Sequence, residues 1–298
     1  MRSYGDVSDF MSGADADRVK VLVPLDGSQH AELALDYLDA LSPLGSLDVH
    51  LLAVVDNTHD EPAEHLDTQR TLFEAYLHER AARLHDGLAE CETRVVQGAP
   101  AAAIIEEADR IDAALVIISS HSRAGIQRWR LGSVADKVVR AVSCDTLVIG
   151  SGVEHAASKI SKILLPLDGS DLAEEAGATA RRLADAFGAE LHLVRVVSPT
   201  SLTSTDVTGM GYASAELYEA VIEGAEAYVS EAREHLAATR AVSMMGAPAD
   251  SLLTYIDEQG IDLVVMTSHG RSGVMRSALG SVTDRMLGGH APVLVVRS

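Results

Sequence analysis

A chain of 298 residues is close to twice the usual domain length, so two domains of about 150 residues each are expected. With 47% hydrophobic and 23% charged residues the composition excludes a disordered chain, and no apolar run reaches the roughly 18 residues that span a bilayer. The formal net charge of -20 repels polyanions, which argues against nucleic acid and against an anionic membrane surface as partners. It leaves room for a local anion site, because backbone N–H groups can hold a phosphate.

Residues 1–18 read as an N-terminal extension. They carry Asp6, Asp9, Asp15 and Asp17 and no apolar stretch, unlike a secretion signal, so the expected location is the cytoplasm. Domain one is expected over 19–151, with strands at 20–25, 48–55, 92–97, 114–119 and 145–149. Helices are expected at 29–41, 68–89, 99–109 and 133–142. Short β-branched runs alternating with helical segments are the signature of a parallel sheet with crossover helices. Leu115-Val116-Ile117-Ile118 is apolar on both faces, as a central strand covered by helices on each side should be. In the second helix Leu72, Phe73, Tyr76, Leu77, Leu84 and Leu88 share one face. His78 and His85 lie on it without an acidic or cysteine partner that would complete a metal set, so they read as solvated. Cys91 and Cys144 fall outside any C-x-x-C spacing and read as reduced structural thiols. Residues 152–160 read as a linker. Domain two is expected over 161–298, with strands at 162–167, 190–197, 239–244, 262–267 and 293–297.

The two domains are one sequence written twice. Val21-Leu22-Val23-Pro24-Leu25-Asp26-Gly27-Ser28 is answered, 142 residues on, by Ile163-Leu164-Leu165-Pro166-Leu167-Asp168-Gly169-Ser170. The same offset carries residues 49–56 onto 191–198. Beyond the middle loop the offset becomes 148, with Gly98-Ala99-Pro100 answered by Gly246-Ala247-Pro248 and Leu131-Gly132-Ser133-Val134 by Leu279-Gly280-Ser281-Val282. Four ordered blocks at two offsets indicate duplication.

In an open parallel sheet a ligand binds beyond the carboxyl ends of the strands, where the winding reverses. After strand four, copy two reads Met266-Thr267-Ser268-His269-Gly270, and Gly280-Ser281 follows ten residues past Gly270. Glycines let backbone N–H groups approach a phosphate and accept positive φ. The run Ser281-Val282-Thr283-Asp284 fits a capping box at a helix start. The other reading is a plain turn into a capped helix.

Together these segments resemble the universal stress protein family, whose nucleotide-binding members show G-x2-G-x9-G-[ST], a P-x-D end to strand one and a Val near the end of strand two. Copy two has Pro166-Leu167-Asp168, Val196 and Thr267-x2-Gly270-x9-Gly280-Ser281, departing only at Thr267. The resemblance implies two doubly wound five-stranded parallel-sheet domains of the adenine nucleotide alpha hydrolase-like, Rossmann-like fold. It implies that Asp168 and Val196 lie near ribose and adenine, and that Gly270, Gly280, Ser281 and Val282 hold the phosphates. Pro166, Leu167, Met266, Thr267 and Thr283 complete that lining. Asp168 also suits a second role, holding the Gly169-Ser170 turn. Arg271 and Arg276 reach either outer phosphate oxygens or solvent. Copy one keeps Pro24, Leu25, Asp26, Val54, Gly132, Ser133 and Val134, but Ser119 and Ser122 stand at its first two glycine positions. The Ser122 Cβ intrudes where backbone should meet phosphate, so copy one is expected to bind more weakly.

The resemblance thus implies an ATP-binding, nucleotide-responsive stress protein, with magnesium a companion of the nucleotide. It is not expected to be an enzyme, since G-x4-G-K-[ST] is absent and the loop has no lysine. His121 and His269 are the only general-base candidates there. Slow ATP hydrolysis and a scaffold that binds no nucleotide are the alternatives. The two copies are expected to pair within the chain through edge strands 146–149 and 293–296, since an exposed apolar edge is an association hazard. A homodimer of the whole chain stays open.

Overall fold

The computed structural model describes residues 18–58, 62–84, 90–120, 131–198, 215–267 and 279–297. Copy one runs β1 (Arg18–Pro24), α1 (Gln29–Leu41), β2 (Ser46–Val55), α2 (Ala63–Ala81), β3 (Glu90–Gln97), α3 (Pro100–Ile111), β4 (Leu115–Ser119), α4 (Ser133–Ala141) and β5 (Asp145–Ile149). Copy two repeats the order with β6 (Lys162–Leu167), α5 (Asp171–Phe187), β7 (Glu190–Val197), α6 (Ala215–His235), β8 (Arg240–Met245), α7 (Pro248–Gln259), β9 (Leu263–Thr267), α8 (Ser281–Met286) and β10 (Val293–Val296).

Within copy one the strands lie in the order β3-β2-β1-β4-β5, all parallel, and copy two has the matching order β8-β7-β6-β9-β10. Each copy is therefore a doubly wound α/β unit whose winding reverses between its first and fourth strands. β5 and β10 pair antiparallel, Val148 opposite Val293 and Leu147 opposite Leu294, which joins the two units into one ten-stranded sheet.

Alternation along the strands sorts the core into two layers. Val21 and Val23 belong to the layer that holds α1 and α5, whereas Leu22 belongs to the layer that holds α3, α4 and α7. β4 and β9 are buried along nearly their whole length because helices cover both faces. At the junction the chain leaving β5 passes tightly over the end of α8. A Cβ on Gly152 would lie 2.6 Å from the Gly289 carbonyl oxygen, and one on Gly150 would collide with that of Leu287.

Two local expectations need correction. α2 starts at Ala63, directly behind Pro62 at φ -60, five residues ahead of the segment that periodicity marks, and it ends at Ala81 instead of 89, so Leu84 falls in the turn after it and His85 and Leu88 lie outside the described residues. Its first turns face solvent, so they carry no apolar period to read. The capping box at Ser281 does not form: Gly280 is the N-cap, no side chain caps the helix, and Ser281 is its first residue. Gly132 and Ser133 do the same in copy one.

Candidate functional site

The turn after the first strand is built identically in both copies. Gly27 and Gly169 take φ of 82 and 80, values that a side chain tolerates poorly, and this folds Asp26 and Asp168 back over the following residue. Asp26 Oδ1 accepts from the Ser28 N–H at 3.0 Å, and the Ser28 hydroxyl caps α1 by accepting from the Ala31 N–H at 3.1 Å. In copy two Asp168 Oδ1 accepts from the Ser170 N–H at 2.9 Å and from its hydroxyl at 2.6 Å, while Ser170 caps α5 through Ala173. One carboxylate oxygen of each aspartate is thus committed to the turn.

On the other side of the switch point, buried Ser120 directly follows β4 and its hydroxyl accepts from the Gly132 N–H at 2.7 Å. That bond fixes the entry to α4 beside the turn after β1. Between the two opens a cavity of about 1450 Å³. Its lining brings together Pro24, Leu25, Asp26, Val54, Ser119, Gly132, Ser133 and Val134, the predicted set of copy one apart from Ser122. It extends to Leu279, Ser281 and Asp284 of copy two. Arg140 on α4 also lines it, held by Asp136 at 2.7 Å, and the charges of Asp136 and Asp284 stabilise its guanidinium.

In copy two Pro166 and Leu167 end β6 and Asp168 follows it, Met266 and Thr267 end β9, and Val196 is half-buried near the end of β7. Leu167, Thr267 and Thr283 are buried in the core, and Gly280, Ser281 and Val282 open α8. Ser122, Gly270, Arg271, Arg276, His121 and His269 lie outside the described residues.

Sequence reasoning missed Ser120, although the Ser119-Ser120 pair at the end of strand four was there to read. It also missed the contribution of α2, whose Gln69, Leu72, Phe73 and Tyr76 form a wall of the cavity. Burial, and the charge of Glu32, push the Tyr76 phenol up to about 12, so it stays protonated and donates to Glu32 Oε1 at 3.2 Å. In copy two the corresponding space is occupied differently. Arg195, which stands where copy one has Ala53, lies 4.5 Å over the Tyr228 ring, and its guanidinium is 2.8 Å from where a Cβ on Gly169 would sit.

The strand order and a cavity at the point of reversal define a tandem α/β protein of the adenine nucleotide alpha hydrolase-like, Rossmann-like class. The model of the universal stress protein family matches residues 18–150 and again 159–297, and the chain belongs to that family. Among relatives, it is similar to universal stress protein MJ0531 of Methanocaldococcus jannaschii, 30% identical over 165 residues that make up 54% of this chain and 96% of the relative. It is 31% identical to universal stress protein Rv2005c of Mycobacterium tuberculosis over 195 residues, 62% of each chain. A universal stress protein from Archaeoglobus fulgidus has a crystal structure that superposes over 93% of this chain and 98% of its own, with a TM-score of 0.68 at 19% identity. That likeness shows the shared fold.

Proposed function

We propose that the chain is an ATP-binding, nucleotide-responsive regulator in the stress response that does not turn its ligand over rapidly. The observation that carries this reading is the cavity of copy one, which gathers eight separately predicted residues at the topological switch point. The polar end offers the Asp26 turn and the Gly132-Ser133 start of α4, and the Ser133 hydroxyl is not spent on capping. Leu52, Val54, Pro100 and Ile104 supply an apolar bed for a base. Magnesium, in this reading, arrives with the phosphates. Among the described residues the cavity lining includes no lysine. Copy two is the tighter site in this reading, because it alone keeps Gly270. We place the protein in the cytoplasm, where the half-buried free thiols Cys91 and Cys144 stay reduced.

The test is to heat-denature the purified protein and analyse the supernatant for nucleotide, then to titrate ATP into nucleotide-free protein. Released ATP and one tight plus one weaker site per chain are expected. ADP alone would favour slow hydrolysis. No released nucleotide and no titration heat would favour a scaffold. In copy two, Gly270→Val should abolish the tight site with the fold intact by circular dichroism.

A further inference from the structure

The copy one cavity is larger than one nucleotide requires, since ligand pockets usually measure roughly 300–1,000 Å³ against about 1450 Å³ here. Its apolar lining falls on both sides of the sheet. Val54, Pro100 and Ile104 line the α3 side, where the base is expected, whereas Ala31, Leu72, Phe73 and Tyr76 line the α1 and α2 side. Gly27 stands on the boundary: the position of a Cβ there is 3.8 Å from Phe73 Cε1.

This second compartment has a rigid apolar wall. Phe73 and Tyr76 pack edge to face with centroids 6.5 Å apart, and Tyr76 is anchored from behind by Glu32 and by Arg80, whose guanidinium lies 5.1 Å over its ring. Arg80 in turn donates to Glu32 at 3.0 Å. Leu72 completes the wall and is 65% exposed, the one large exposed hydrophobic side chain among the described residues. A leucine left open at the mouth of a cavity, next to two half-buried rings, presents an apolar surface that the described residues leave uncovered.

Copy two does not repeat the arrangement. At the 148-residue offset Phe73 becomes Val221, Tyr76 becomes Gly224 and Arg80 becomes Tyr228, while Arg195 reaches across to Gly169 and fills the boundary with a cation. The compartment therefore belongs to copy one and is not a by-product of the fold.

We propose that copy one takes an adenine nucleotide that carries an apolar acyl or aromatic group on its ribose, with that group passing over Gly27 onto Leu72, Phe73 and Tyr76. The inference rests on the adenine-nucleotide reading of the site, in which the ribose meets Asp26, the residue immediately before Gly27. A ribose substituent then enters the second compartment directly, whereas a base or phosphate substituent points away from it.

The experiment compares ATP with its 2′(3′)-O-(N-methylanthraniloyl) ester by calorimetric titration. The full chain carries Gly270→Val to silence copy two, with and without Leu72→Glu. The ratio of the two affinities is the readout. The ester is expected to bind about tenfold tighter than ATP, as burial of a ring-sized apolar surface implies, and Leu72→Glu is expected to bring the ratio close to one. Leu72 is exposed, so that variant should fold. An ester that binds no tighter than ATP overturns the proposal, as does a preference that survives Leu72→Glu. If methyl N-methylanthranilate binds ATP-loaded protein as tightly as the ester gains, the compartment takes a separate apolar molecule and the ribose-linked ligand is wrong. If ATP binds while the ester has no advantage, only this inference fails. If neither binds at any site, the adenine-nucleotide reading fails with it.

Discussion

Asp145 begins β5 almost fully buried, accepting from the Arg297 N–H at 2.8 Å. Burial pushes its carboxyl up to about 6, against the pull of that N–H and of the Arg182 and Arg297 charges. In the unfolded chain the same group ionises near 3.8. The folded protein thus holds a proton that the unfolded chain releases, and this contribution to stability is full below about pH 4 and lost as pH rises through about 6. Its size is on the order of 2–3 kcal/mol. Asp145→Asn should flatten this part of the dependence of the thermal midpoint between pH 4 and pH 6.5, and an unchanged slope against the parent would show the carboxyl to be ionised throughout. The capping serines give a second residue-level test. Ser28→Ala and Ser170→Ala should each cost about 1 kcal/mol in urea denaturation, and their effects should add because the two caps share no partner. Asp168→Ala should weaken ATP more than it lowers the thermal midpoint if the carboxylate meets ribose as well as the turn. Loss of stability alone would leave it a structural role in the turn.

At the scale of elements, the sequence shows strands far better than it shows what lies over them. β-branched runs and the repeated Pro-Leu-Asp-Gly-Ser turn locate β1, β2, β6 and β7 to within two residues, because a strand covered by helices must be apolar. α2 was harder to read. Only Leu77 on it is buried, so the apolar face formed by Leu72, Phe73 and Tyr76 marks a cavity wall and not a packed core. Periodicity reports which residues share a face and is silent on whether protein, solvent or ligand meets that face. Likewise, the duplication predicts equivalent sites, while the exchange of Ala53 for Arg195 and of Tyr76 for Gly224 depends on how side chains fill space. The close crossing of the chain after β5 over the end of α8 yields its own prediction. Gly152→Val should push these segments apart and raise the rate of limited proteolysis within 151–161, with little change in the separate cores.

For the whole molecule, the antiparallel β5 and β10 pair makes the sheet continuous across the two copies. Separately expressed fragments 1–155 and 156–298 should therefore associate when mixed, and fragments that sediment independently at micromolar concentration would mean the pairing needs the covalent link. A duplicated chain can also do what a symmetric dimer cannot. Asp145 in copy one is answered by Arg182 and Arg297 from copy two, but the equivalents of these residues are Val293, Ala40 and Ile149. Two first copies set edge to edge would each bury an acid opposite aliphatic side chains, with no guanidinium in reach, and such an unpaired buried charge is costly. Two second copies would leave their arginines without the acid. The charge pattern thus gives the halves handedness, like left and right gloves. During synthesis beside other chains of its own kind, a first half meets its proper complement only in a second half, which its own ribosome delivers next.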